Sequence, residues 1–142
     1  GTVHQLALPS SVPNRFIQGL IVEKNHPNHA FVVFNGFSRR WTSDISAGEG
    51  HLFETTDSGA TWTDISGDLP DAPGDDVILT ASGKLVVATD IGVFISADHG
   101  VSWARFGTGL PNASTNDLQL SPDGSHIIAA THGRGLWTIP TP

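Results

Sequence analysis

Thr55-Thr56-Asp57-Ser58-Gly59-Ala60-Thr61-Trp62 returns further along the chain as Ser96-Ala97-Asp98-His99-Gly100-Val101-Ser102-Trp103. The two tryptophans lie 41 residues apart, and so do the Leu69-Pro70 and Leu110-Pro111 pairs that follow them. A hydroxyl residue, an aspartate two places on, a glycine two further and a tryptophan three beyond, repeated in phase, define a tandem structural unit. Each position has a physical task. The Asp carboxylate accepts hydrogen bonds from nearby backbone N–H groups and folds the chain into an Asx-type turn. The Gly takes a positive φ that a side chain would penalise. The Trp leads back into a strand and carries a large apolar ring into the neighbouring core. Each string therefore predicts a tight turn between two short strands.

Short apolar runs alternate with turn signals along the rest of the chain, which predicts an all-β protein. The content of Gly (16) and Pro (9) fits that reading, and no long amphipathic helix is visible. A middle unit spans 76–107, with strands expected over 76–79, 84–89, 92–96 and 102–106. The last unit spans 115–140, with strands over 116–120, 126–131 and 135–139 and no outer strand. The first spans 16–66, with strands over 16–23, 30–37, 50–55 and 61–65, and a long excursion precedes its third strand. Residues 3–9, Val3-His4-Gln5-Leu6-Ala7-Leu8-Pro9, read like the outer strand and exit of the other units. They are the piece needed to complete the last one.

The two strings resemble the Asp-box, or bacterial neuraminidase repeat, of sialidases, xyloglucanases, sortilin-type receptors and secreted bacterial β-propellers. The resemblance implies an all-β propeller segment over 1–142, built from about three four-stranded antiparallel blades. It also implies that Thr55, Asp57, Gly59 and Trp62, with Ser96, Asp98, Gly100 and Trp103, are architectural corners at the blade periphery. Three blades are too few to close a ring, since propellers have about 4–8. The segment is expected either to pair with a second copy, making a homodimer of six blades, or to belong to a longer propeller chain. The start at Gly1-Thr2, without Met, favours the second.

Composition narrows the function. Formal charge is −7, with 7 Lys+Arg against 14 Asp+Glu and no basic run, which disfavours nucleic acid and anionic membrane surfaces as partners. The chain has no cysteine, which removes disulfides, thiolate catalysis and Cys-based zinc sites. No apolar stretch approaches the ~20 residues of a membrane span. His26 and His29 flank a Pro-Asn turn instead of sharing a helix face, so no metal and no cofactor is expected. Asn112-Ala113-Ser114 fits the glycosylation sequon.

In the propeller that the resemblance implies, the loops after each outer strand and between second and third strands share one face around the channel, where ligands bind. On this chain that face would gather Arg39, Arg40, Trp41 and Asp44 from the excursion, Asp90 from the second unit, and His132 with Arg134 from the third. Guanidinium groups grip carboxylates bidentately, and Trp41 could stack on a sugar ring. The plainer alternative makes the arginines salt-bridge partners of neighbouring loops. Thr131-His132-Gly133-Arg134-Gly135-Leu136-Trp137 resembles a closing motif of secreted Asp-box proteins, where its glycines serve loop geometry. The sialidase site of this superfamily needs a Tyr nucleophile, and the chain has no tyrosine. Xyloglucanases of the type take two carboxylates from separate propellers, so this segment would hold at most one, Asp44 or Asp90. No GxSxG elbow is present. The favoured expectation is a non-catalytic binding or scaffold module of an extracellular Asp-box propeller, with glycan as candidate ligand. The alternatives are a segment of a glycoside hydrolase and a self-assembling half-propeller with a structural role only.

Overall fold

The computed structural model describes residues 1–38 and 49–142 as eleven strands in three antiparallel sheets, with no helix among the described residues. The first sheet is β1 (Ile17–Val22), β2 (Ala30–Phe34), β3 (Leu52–Thr55) and β4 (Thr63–Asp64), in chain order. The second is β5 (Gly74–Leu79), β6 (Leu85–Thr89), β7 (Gly92–Ser96) and β8 (Ala104–Phe106). The third is β9 (Thr115–Leu120), β10 (His126–Thr131) and β11 (Gly135–Pro140). Each is an up-and-down meander, the form of a propeller blade. The inner strands lie side by side, β1 on β5 and β5 on β9, so the blades fan out in an arc.

Alternation along the strands builds two inter-blade cores. Phe31, Val33 and Leu52 of blade 1 meet Val77, Leu85, Val87 and Phe94 of blade 2, with Ile65 and Leu69 from the connection between them. On the other face of blade 2, Ile78, Val86, Ala88 and Val93 meet Leu118, Ile127, Ala129 and Ile139 of blade 3. Blade 2 is covered on both faces, which is why all five residues of β6, Leu-Val-Val-Ala-Thr, are buried. All three inner strands share a register shift near their start, at Ile17/Gly19, Gly74/Asp76 and opposite Ala130/Thr131. The shift re-aims the first residues of each inner strand, as β-bulges do.

The two repeated turns have one hydrogen-bond scheme. The Thr55 hydroxyl donates to Asp57 Oδ1 at 2.8 Å and accepts the Gly59 N–H at 2.8 Å; Asp57 accepts the Thr61 N–H at 2.8 Å and its hydroxyl at 2.6 Å. In the second turn, Ser96 donates to Asp98 Oδ1 and accepts the Gly100 N–H, both at 2.8 Å, and Ser102 supplies its N–H at 2.9 Å and hydroxyl at 2.5 Å. These donors hold both aspartates at a pKa of about 2, with the Thr61 and Ser102 hydroxyls the largest cause. The positive φ falls on Gly59 (88°) and Gly100 (84°), and also on Ser58 (61°) and His99 (59°), which sequence reasoning did not assign. Trp62 and Trp103 are half-buried, packed against the blade 1 cluster and the blade 1–2 core respectively. The Trp62 indole N–H donates to Gly59 O at 3.1 Å.

Two expectations need correction. Residues 3–9 form no strand: they lie almost wholly exposed along blade 1, with Leu6 beside Gly59, and pair with no sheet edge. The outer strands are also shorter than expected, because Thr61 and Ser102 turn back to their aspartates before pairing begins.

Candidate functional site

The linkers entering β1, β5 and β9, the β6–β7 and β10–β11 turns and the described flanks of the β2–β3 connection lie at one end of the sheets. Among the candidates from sequence, Asp90, His132 and Arg134 are here; Arg39, Arg40, Trp41 and Asp44 lie outside the described residues. Asp90 and His132 are brought together through one linker residue. The Ser114 hydroxyl donates to Asp90 Oδ1 at 2.9 Å, and the His132 N–H donates to Ser114 O at 2.8 Å. Both side chains are otherwise exposed, as is Arg134, whose carbonyl accepts the Trp137 indole N–H at 2.9 Å. A pair of adjacent turns thus presents an imidazole and a guanidinium to solvent above a carboxylate already tied to a hydroxyl.

Sequence reasoning missed a second carboxylate at this end. Asp75, at the start of β5, is buried between blades 1 and 2. Its Oδ1 accepts Asn35 Nδ2 at 3.0 Å, while Oδ2 is buried without a partner. Burial, then the neighbouring Asp90 charge, pushes its pKa up to about 6, against the pull of the Asn35 amide. Such a carboxyl keeps its proton to a higher pH than an ordinary aspartate and gives it up around pH 6. Its free oxygen is sealed from solvent, so it does not face an external substrate in this segment. The adjacent Gly74-Asp75-Asp76 run was the available signal. Asp76 does different work: its Oδ2 accepts the Leu118 N–H of β9 at 2.8 Å, joining the inner strands of blades 2 and 3.

Around blade 1 the same end is fastened by a polar chain. Arg15 donates to Gly36 O at 2.9 Å and also to Gly50 O, and contacts His51 Nδ1 at 3.4 Å. Because Nδ1 faces a donor, it is the accepting nitrogen, and the Nε2–H donates to Asp71 Oδ1 at 3.1 Å. Burial and the Arg15 charge both lower the His51 pKa, in keeping with a neutral ring. Asp71 also accepts the Ser38 N–H at 2.8 Å and its hydroxyl at 2.9 Å. The serine hydroxyl therefore points at a carboxylate, not at the imidazole, and this is no Ser–His nucleophile pair. Its effect is to anchor the chain on either side of 39–48.

At the opposite end, His29 of the β1–β2 turn donates to Glu23 and, at 2.5 Å, to Glu54 of β3; Glu54 also accepts His99 Nε2 from the second Asp turn at 2.9 Å. No group of three or more His, Asp or Glu among the described residues is arranged to hold a metal ion.

No family model and no curated protein matches this chain. Solved structures do. An ancestral GH74 enzyme is similar with a TM-score of 0.61 and 19% identity, over 83% of this chain and 17% of its own. YCF48 from Cyanidioschyzon merolae gives 0.61 and 18%, over 96% and 36%. The extracellular domain of the hybrid two-component system BT4673 from B. thetaiotaomicron gives 0.63 and 15%, over 94% and 17%. These are β-propeller proteins, and at such identities the likeness shows the fold alone. The chain spans 17–36% of their lengths, so it is a partial propeller that needs further blades.

Proposed function

We propose that the chain is a non-catalytic binding segment of an extracellular, Asp-box-type β-propeller, with an acidic glycan as ligand of the channel face. The observation that carries this is the exposed His132–Arg134 turn beside carboxylates that the fold already uses. Asp90 accepts a serine hydroxyl, Asp71 accepts Ser38 and His51, and Asp75 is sealed against Asn35. Among the described residues of this end, the exposed His132 and Arg134 are the side chains that can donate to a ligand, which suits a sugar carboxylate. The shared bonding of the two Asp turns supports the Asp-box assignment, and the extracellular domain of BT4673 among the neighbours supports the location. The test is a titration of the isotope-labelled chain with sialyllactose and with neutral xyloglucan oligosaccharides. The expected result is movement of the 132–134 amide signals with the acidic sugar only, and about tenfold weaker binding for Arg134→Ala, as loss of one charged hydrogen-bond pair implies. Unmoved signals with both sugars would rule the reading out.

One observation favours a second reading. The similarity to a GH74 enzyme supports membership of a glycoside hydrolase whose other catalytic carboxylate lies on another blade. Release of reducing ends from xyloglucan by a longer chain that includes the blade with the second carboxylate, lost in Asp90→Asn, would favour the hydrolase over the binding segment.

A further inference from the structure

Two faces of this segment lie open at positions the fold closes elsewhere. The strand registers make the blades equivalent residue by residue: Leu20, Val77 and Leu118 stand opposite Val32, Val87 and Ala129. Val22, Leu79 and Leu120 hold the next equivalent place, opposite Ala30, Leu85 and Ile127. In blades 2 and 3 these positions are covered by the preceding blade, and Val77 and Leu118 are 2% and 1% exposed. In blade 1, Leu20 is 62% and Val22 51% exposed. At the other end of the arc, Ile128, Ala130 and Leu136 of blade 3 match Phe31, Val33 and Leu52 of blade 1, which fill a junction; Leu136 is 75% exposed. The open face of blade 3 and the open face of blade 1 are the two halves of one more junction of the kind already present twice.

The N-terminal arm and the free edge of β11 fit the same way. The Val12 N–H donates to Pro9 O at 3.0 Å, as Leu69 does to Ser66 O at 2.9 Å and Leu110 to Gly107 O at 3.0 Å where the chain leaves β4 and β8. Val12 also packs on Val32, Phe34 and Phe53, the face of blade 1 that a preceding blade would cover. The arm thus lies where a chain leaving a preceding blade would run, with Leu8 at the place of Ile65 and Phe106. Carried onto β11, this sets Leu8 opposite Leu136, Ala7 opposite Trp137 and Leu6 opposite Thr138. It repeats Val93–Phe106, Phe94–Arg105 and Ile95–Ala104.

We infer that a second copy of this chain closes the ring: blade 3 of each copy seats on blade 1 of the other, and each arm becomes the fourth strand of the other's third blade. The inference rests on the blade architecture and not on the glycan reading. A head-to-tail contact between identical chains closes only where the repeat count permits. One copy gives three blades and three copies give nine, both outside the range of about 4–8, whereas two give six. Asp117, the blade 3 counterpart of Asp76, then meets the Leu20 N–H of the second copy as Asp76 meets that of Leu118.

The absence of cysteine makes a direct test practical. The chain is expected to scatter light at twice its single-chain mass. Mixing a Leu6→Cys chain with a Thr138→Cys chain under oxidation is expected to give a disulfide-linked pair, and neither variant alone to do so. Leu20→Asp and Leu136→Asp alter side chains exposed in one copy, so each copy keeps its circular dichroism. Each should still weaken the dimer by at least about tenfold, since the charge would be buried at the junction. Single-chain mass up to about 100 μM would overturn the inference and leave the open faces to other blades of a longer chain; that concentration exceeds Kd for a ~8 kcal/mol contact. A dimer indifferent to both aspartates, or a disulfide formed within one chain carrying both cysteines, would overturn it too. The two proposals can fail separately, because Arg134→Ala probes the glycan reading and Leu20→Asp, on blade 1, probes the dimer.

Discussion

Gly59 and Gly100 hold the same place in the two repeated turns and nearly the same φ, yet their neighbours differ. A methyl group on Gly100 would sit 2.2 Å from Ile65 O, a backbone atom of the connection leaving blade 1. On Gly59 the nearest atom would be Leu6 Cδ1 at 3.3 Å, the end of an exposed side chain. Both substitutions by alanine pay the left-handed backbone penalty of about 1–2 kcal/mol. Gly100→Ala must also displace packed backbone, so it is expected to cost at least about 1 kcal/mol more than Gly59→Ala. Urea denaturation midpoints of the two variants check this; equal losses would contradict the different packing. The conformational need of both glycines was legible in the eight-residue strings, because the Asp turn is a local structure. The difference between them was not, because Ile65 reaches Gly100 through the fold of a different blade. Asp75 was unreadable for a related reason: its carboxyl meets Asn35, 40 residues earlier in the chain, while Gly74 beside it lies against Val33.

Whole strands and turns depend on histidines in two opposed ways. His29 presents both ring nitrogens to carboxylate oxygens, those of Glu23 and Glu54, and only the imidazolium can donate through both. Its partial burial lowers the pKa, but the Glu23 and Glu54 bonds outweigh that and the net shift is upward. His26 on Glu23 and His99 on Glu54 extend the chain, linking the β1–β2 turn, β3 and the β7–β8 turn. With a folded pKa above the unfolded value of 6.5, His29 stabilises the fold in full below 6.5, and that contribution is lost as pH rises through the raised value. His51 runs the other way. Its folded pKa is lowered, so stability falls as pH drops below 6.5 and the unfolded ring takes up the proton first. His29→Gln should therefore flatten the alkaline side of the stability profile, and His51→Gln the acid side. Guanidinium denaturation between pH 5 and 8 reads both slopes, and an alkaline limb that survives in His29→Gln would remove His29 as its source. Strand positions were legible from apolar alternation and turn residues, whereas this polar chain joins residues 25 and 45 apart. The strand expected over 3–9 failed on partnership: its apolar pattern is real, but no edge of its own chain lies alongside.

The molecule as a whole is unevenly held together, and hydrogen exchange should report that pattern. Blade 2 has a core on each face, and β6 lies between them with every residue buried. Opening β6 exposes both cores at once, so its amides exchange only through events close to global unfolding. Blades 1 and 3 each have one full core, and blade 3 ends in β11, whose outer edge has no strand partner among the described residues. A free edge leaves its N–H groups to water, so exchange at β11 proceeds by local fraying. The expected order in dilute solution is β6 slowest, the inner strands β1 and β9 intermediate, and β11 with residues 3–9 fastest. Raising the protein concentration should then slow exchange selectively at β11 and 3–9. Mass action stabilises whatever the assembled form orders, by about 2.7 kcal/mol at a hundredfold excess over the dissociation constant. The β6 amides should slow by the same free energy if unfolding requires dissociation, and should not change if each copy unfolds within the ring. That second reading separates strand exchange from simple face-to-face docking. Exchanged arms tie the two unfolding events together, whereas docked faces let one blade open while the rest stay closed. Concentration-independent exchange at β11 would mean that its edge is never covered by another copy.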